Sequence, residues 1–272
     1  MKAEINGISI NYRDEGKGLP VIFIHGFPLN QTIWDEQAAA LRDRCRTITL
    51  DLRGFGETDA PEGPCLMEDM AEDVRGLMQS LSIEHAVLVG LSMGGYVALA
   101  FYRKYPDAVR ALVLADTRAT ADPPEGRERR MKSAERAERE GASAIADDMV
   151  PLLLAPSTVE TRPDIVRRMR DIVEANSPRG IAAAQRGMAE RLDSTDLLAK
   201  IDFPVLVIVG SEDTLTPVRD SESLRDHIPG SRLRIIEGAG HLSNMERADE
   251  FNRALIECIE EVAKQPSRDH AL

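Results

Sequence analysis

With 272 residues, the chain is long enough for one α/β domain carrying an insertion and burying a large core. A formal net charge of -12 at pH 7 argues against a nucleic-acid partner, which wants a basic face, and gives no attraction to anionic membranes. No apolar run approaches membrane-spanning length, and residues 1–7 lack the apolar stretch of a secretory signal, so the expected setting is the cytoplasm.

In chain order, Ile5-Asn6-Gly7-Ile8 carries the Asn-Gly turn of a β-hairpin. Three strand–helix units follow. A strand at 21–24 precedes a helix near 32–42, a strand at 46–50 precedes a helix near 66–81, and a strand at 86–90 precedes a helix over 93–104. A further strand covers 110–115. Such alternation predicts a mostly parallel sheet with right-handed crossovers. After Asp116 the strand pattern stops for about eighty residues, far longer than an ordinary loop. Within that stretch, 127–140 is a charge-rich helix with a solvated face, and Met149-Val150-Pro151-Leu152-Leu153-Leu154 is apolar and interrupted by proline. Ile165, Val166, Met169, Ile172 and Val173 make one face of a helix over 163–176; 181–191 is a further helix, and 193–198 leads back. Strands resume at 205–209 and 232–236, a polar helix between them ends at His227, and a polar tail follows Lys264. This predicts core segments 1–118 and 200–272 around a helical lid, 119–199, that would shape the acyl or alcohol pocket.

Gly90-Leu91-Ser92-Met93-Gly94, set between strand and helix, describes a turn so tight that glycines must flank its serine. The turn presents the hydroxyl to the start of the next helix, which favours the negative charge of an attacked carbonyl. A serine nucleophile needs a base and the base an orienting acid. Gly238-Ala239-Gly240-His241 follows the last strand, and Gly210-Ser211-Glu212-Asp213 leaves the strand at 205–209. The order Ser92, Asp213, His241 places each residue just past a strand's carboxyl end, where open α/β sheets build their sites. Asp116, after the strand at 110–115, and the adjacent Glu212 are rivals for the acid. Among the other histidines, His85 begins a strand, His227 ends a helix and His270 lies in a charged tail. The oxyanion donors are expected from the backbone N–H of Met93 and of Phe27, in the His25-Gly26-Phe27-Pro28 loop, with His25 bracing that loop. Cys45, Cys65 and Cys258 read as free thiols, and no residues cluster at metal-ligand spacing.

Together with Asp51-Leu52-Arg53-Gly54-Phe55-Gly56, these motifs resemble the α/β-hydrolase superfamily, in the branch with a helical cap, across essentially the whole chain. The resemblance implies an α/β-hydrolase fold: a mostly parallel central sheet flanked by helices, with an inserted helical cap. It implies the chemistry of carboxylesterases, enol-lactonases or cofactor-free perhydrolases and haloperoxidases, with a small-molecule ester or lactone as substrate and neither cofactor nor metal. Asp51 and Arg53 are then loop braces, and Gly26, Gly90 and Gly94 support the site. Haloalkane dehalogenases and epoxide hydrolases fit poorly, because they need a carboxylate where this chain has Ser92. The epoxide enzymes also use lid tyrosines, whereas Tyr12, Tyr96, Tyr102 and Tyr105 all lie outside the insertion. A hydrolase-like ligand receptor is the reading from another class, marked by a slow single-turnover burst. The scarcity of aromatics, 4% of the chain, and a lid rich in Leu, Ile, Val and Met suit short acyl groups.

Overall fold

A computed structural model of the chain describes residues 1–60 and 62–265, so the tail reading and His270 lie outside the described residues. β1 (Lys2–Ile5) and β2 (Ile8–Gly16) form the antiparallel hairpin, with Asn6 and Gly7 both at positive φ. That backbone is the reason an Asn-Gly pair occupies the turn. β3 (Pro20–Ile24), α1 (Asp35–Leu41), β4 (Arg46–Leu50), α2 (Met67–Ser80), β5 (Ala86–Leu91), α3 (Met93–Lys104) and β6 (Val109–Ala115) then alternate along the chain.

Six helices separate β6 from the next strand: α4 (Pro124–Glu140), α5 (Ala142–Leu153), α6 (Pro156–Thr161), α7 (Pro163–Glu174), α8 (Pro178–Glu190) and α9 (Thr195–Leu198). β7 (Val205–Gly210), α10 (Val218–His227), β8 (Arg232–Ile236), α11 (Ser243–Glu246) and α12 (Ala248–Lys264) complete the described chain. Among the described residues, no helix is long and apolar enough to cross a membrane.

The eight strands form one sheet in the order β1-β2-β4-β3-β5-β6-β7-β8, parallel from β4 to β8. Every residue of β5 and β7 is buried, which is why both read as continuous apolar runs rather than alternating ones. From β3 the chain steps to β4 on one side and returns as β5 on the other. That reversal opens a crevice at the carboxyl ends of the strands.

Three elements differ from the sequence expectation. The apolar 149–154 run is the end of α5, a helix that already starts at Ala142 after Gly141 (φ 87°) closes α4. Pro151 fits within its last turn. α6 is too short to show a period, and it begins at Pro156, a residue suited to a helix's first turn. α12 buries Phe251, Ala254, Leu255, Cys258, Ile259 and Val262 against β6, β7 and β8. Their spacing by threes and fours marks an amphipathic helix directly.

Two glycines seat α8 on the core. A Cβ on Gly180 would lie 1.9 Å from the Gly54 carbonyl oxygen, and one on Gly187 would lie 1.7 Å from that of Cys65. The Cys65 N–H donates to the Ala183 carbonyl at 3.0 Å across the same contact.

Candidate active site

Ser92 sits between β5 and α3 at φ 54°, ψ -114°, a strained conformation for a residue with a side chain. The surrounding chain holds it there. The Ser92 N–H donates to the Ala115 carbonyl at 2.9 Å, and Thr117 Oγ1 donates to the Ser92 carbonyl at 2.8 Å. The flanking glycines are required by close approach: a Cβ on Gly90 would lie 2.4 Å from the Gly94 oxygen, and one on Gly94 2.1 Å from the Ile24 oxygen. Met93 begins α3, where a first-turn N–H has no partner within the helix and the helix dipole is positive.

The loop after β3 runs alongside. His25 is buried and keeps its neutral form: burial dominates, lowering its pKa despite the Gly26 carbonyl and the Asp51 charge. The Leu52 N–H donates to its Nε2 at 3.0 Å, so Nδ1 carries the proton and donates to the Gly26 carbonyl at 2.9 Å. Gly26 is required here for space, since a Cβ would meet Leu91 Cδ2 at 2.8 Å. Asp51 accepts from the Gln31 N–H and from Asn11 Nδ2, each at 2.8 Å, and Arg53 forks onto Asp73 at 2.6 and 2.7 Å.

From the loops after β7 and β8, the buried Asp213 and His241 meet, with His241 Nδ1 2.8 Å from Asp213 Oδ2. The other Asp213 oxygen accepts the N–H groups of Leu215 (2.8 Å) and Thr216 (3.0 Å). Thr216 Oγ1 donates to Oδ2 at 2.6 Å. Burial alone would push the Asp213 carboxyl up, but the His241 charge and these hydrogen bonds outweigh it and hold it below the usual aspartate range. Burial likewise opposes the His241 cation, and the charge and hydrogen bond of Asp213 reverse that, leaving its pKa above the ordinary 6.5. With Nδ1 engaged, Nε2 is the nitrogen left to take a proton.

Asp116 takes another place. It accepts from the Gly210 N–H (2.8 Å) and Ser243 Oγ (2.5 Å), and burial, followed by the Asp213 charge, pushes its carboxyl well up. Glu212 is exposed. His85 bonds the Asp107 carbonyl and His227 the Ser223 carbonyl, each at 2.7 Å.

Ser92 and His241 line one cavity of about 100 Å³, together with Phe27, Tyr96, Arg118, Arg130, Met149, Met188, Leu215 and Thr216. Arg130 corrects one expectation, because α4 is solvated along much of its length but sets this residue against the cavity. Two further residues support the site without having been singled out in the sequence. Glu246 accepts the N–H groups of Gly240 (2.8 Å) and Ala155 (2.9 Å), tying the histidine loop to the start of α6. Thr216 had a signal, a hydroxyl three residues after an acid, the spacing of a local side-chain turn. Among the described residues, no group of three or more His, Cys, Asp or Glu is placed to hold a metal ion.

The alpha/beta hydrolase fold family matches residues 20–248, and the chain belongs to that family. Among solved structures, it is similar to a thermophilic esterase from Thermogutta terrifontis, solved with malate bound. The identity is 43%, the TM-score is 0.94, and the match covers 97% of this chain and 99% of the esterase. The 3-oxoadipate enol-lactonase 2 of Acinetobacter baylyi is 30% identical over 91% of this chain and 92% of its own. A bromoperoxidase from Bacillus anthracis is 27% identical, with TM-score 0.86 over 96% of this chain and 99% of its own.

Proposed function

We propose that the protein is a carboxylic ester hydrolase, acting on short esters or lactones, with Ser92 as nucleophile, His241 as base and Asp213 as its orienter. The observation that carries this reading is the His241–Asp213 hydrogen bond of 2.8 Å, facing the same cavity as a serine on a strained turn. The esterase and enol-lactonase relatives support it. In the first step Ser92 Oγ attacks the substrate carbonyl carbon while its proton passes to His241 Nε2. The N–H groups of Met93 and Phe27 hold the resulting oxyanion, each such donor typically worth about 2.7–4 kcal/mol. The carbon–oxygen bond to the alcohol then breaks, and His241 returns its proton to the departing alkoxide. Water attacks the acyl-serine, giving its proton to His241; the acid leaves and Ser92 is reprotonated. In a lactone the alcohol stays tethered to the acid. Residues 119–199 serve in this reading as a cap over the strand ends, and the small cavity supports short acyl groups.

The bromoperoxidase relative supports a second reading in which hydrogen peroxide replaces water at the acyl-serine and a peracid leaves. A reducing cytoplasm suits three unpaired thiols, each pushed up to about 11 by burial and thus inert. The test is turnover of ethyl butyrate and of a small lactone by wild type and Ser92→Ala. Turnover lost in a folded variant supports the assignment, and near wild-type turnover contradicts it.

A further inference from the structure

The cavity that holds Ser92 is lined by two arginines, Arg118 and Arg130, and by no Asp or Glu among the described residues. This is an unexpected lining in a chain of net charge -12. Behind the wall, Asp122 is shared between two arginines: it accepts from Arg130 Nε, and from Arg191, whose Nη2 lies 3.0 Å from Oδ1 and Nη1 2.6 Å from Oδ2. Two cations on one carboxylate leave an excess positive charge, in a setting where solvent screens little. Against burial, the two arginines hold the Asp122 carboxyl down at about 2, so it stays charged and the count stands at any working pH.

Arg191 and its neighbours do different jobs. Arg191 is structural by its contacts: its side chain is 3% exposed, lies 4.3 Å over the Tyr96 ring and donates to the Thr120 and Met188 carbonyls. Arg118 and Arg130 keep 30% and 21% of their side-chain surface open. Arg118 Nη2 donates to the Leu215 carbonyl, its Nε is buried and faces Asp220 Oδ2 in an ion pair at 3.5 Å, and Nη1 makes no hydrogen bond to another described residue. Its charge also works against the His241 cation, which puts it within electrostatic reach of the reacting groups. A guanidinium with its Nη1 unbonded, beside Ser92 and in an apolar wall of Met149, Met188 and Leu215, matches a carboxylate.

We infer that this site takes small esters or lactones bearing a free carboxylate, which Arg118 and Arg130 bind while Ser92 attacks the ester carbonyl. The inference rests on the acyl-transfer reading of Ser92 above. It makes the two arginines specificity determinants rather than cap fasteners.

The test compares wild-type kcat/KM on the monoethyl esters of succinate, glutarate and adipate with that on ethyl levulinate and ethyl hexanoate, reading ethanol release, with Ser92→Ala as the blank. Levulinate keeps the succinate chain and replaces its carboxylate by a methyl ketone. At least one half-ester should exceed its uncharged counterpart by about tenfold or more, since a site built for a polar group rejects the analogue lacking it. That preference should fall by about tenfold in Arg118→Gln or Arg130→Gln. Succinate or glutarate should also inhibit levulinate hydrolysis competitively in wild type, and more weakly in the variants. Neutral esters turned over by Ser92 with no half-ester preferred would overturn this inference and leave the acyl-transfer reading intact. An unchanged preference in both arginine variants would overturn it too, and no Ser92-dependent turnover of any ester would overturn both. The wild-type comparison needs no variant to fold.

Discussion

The cavity has a floor of strand-end loops and a roof of inserted helices, and the two are fixed by different forces. On the floor, Ser92, Asp213 and His241 follow β5, β7 and β8, and hydrogen bonds to main-chain groups hold them: the Ala115 carbonyl on Ser92, the N–H groups of Leu215 and Thr216 on Asp213, and, in the histidine loop, the Gly240 N–H that Glu246 accepts. In the roof, Met149, Met188 and Arg130 come from three helices, and Arg130 is held by its ion pair with Asp122 and by Gln185 Oε1 at 3.1 Å. The floor therefore fixes the atoms that the proposed reaction uses, whereas the roof offers a lining that side chains can adjust. Substitutions of Ser92, Asp213 or His241 on the floor should strike kcat, and those in the roof, like those of Arg118 at the floor's edge, should strike the choice of substrate.

The largest effect is expected on the floor. Ser92→Ala and His241→Ala should each lower kcat by about 10^4- to 10^6-fold, and the double variant should lose little more, because the residues act as a unit. Additive losses in steady-state kinetics would break that picture. Asp213→Asn should cost less, about 10^3- to 10^4-fold. Asp116→Asn should cost far less again, since Asp116 bonds Gly210 and Ser243 rather than His241. The reverse ranking would move the acid to the end of β6.

The pH profile sharpens the same point. In the proposed mechanism His241 must be neutral to accept the serine proton, and Asp213 holds its pKa above the ordinary 6.5 against burial. kcat/KM should accordingly rise with pH through a limb above about 6.5. In Asp213→Asn the limb should move to lower pH, because the charge favouring the cation is gone. A limb that stays in place would detach Asp213 from the titrating group.

This contrast also explains what the sequence made legible. The Gly90–Ser92–Gly94 pattern could be read because backbone closeness dictates glycine two residues to either side of Ser92, and β5 and β7 announce themselves by unbroken apolar runs. The rival acids were separable only in space, since Asp116 and Asp213 both follow a buried strand and differ in which of them reaches His241. Arg130 was illegible for a deeper reason. In a helix where Arg127, Glu128 and Arg129 face solvent, no local signal shows which charge the packing of α4 on α8 turns inward. α6 left no periodic trace because it is 6 residues long.

The smallest predicted effect lies in the roof. Met149→Ala should enlarge the apolar wall and raise kcat/KM for octanoyl relative to acetyl esters by about three- to tenfold. A wild-type preference for short chains, with kcat/KM falling steeply from butyrate to palmitate, is the baseline. A profile peaking at palmitate would contradict a cavity of about 100 Å³. A Met149→Ala variant with reduced kcat on every ester would mean that the roof also positions the reaction.

The central claim, that Ser92 is the nucleophile, is tested most directly by covalent labelling. Wild-type protein treated with phenylmethylsulfonyl fluoride should gain one adduct in intact mass, located on the peptide holding Ser92, with ester turnover lost in proportion. An adduct on another residue, or turnover persisting after Ser92 is fully modified, would contradict the account.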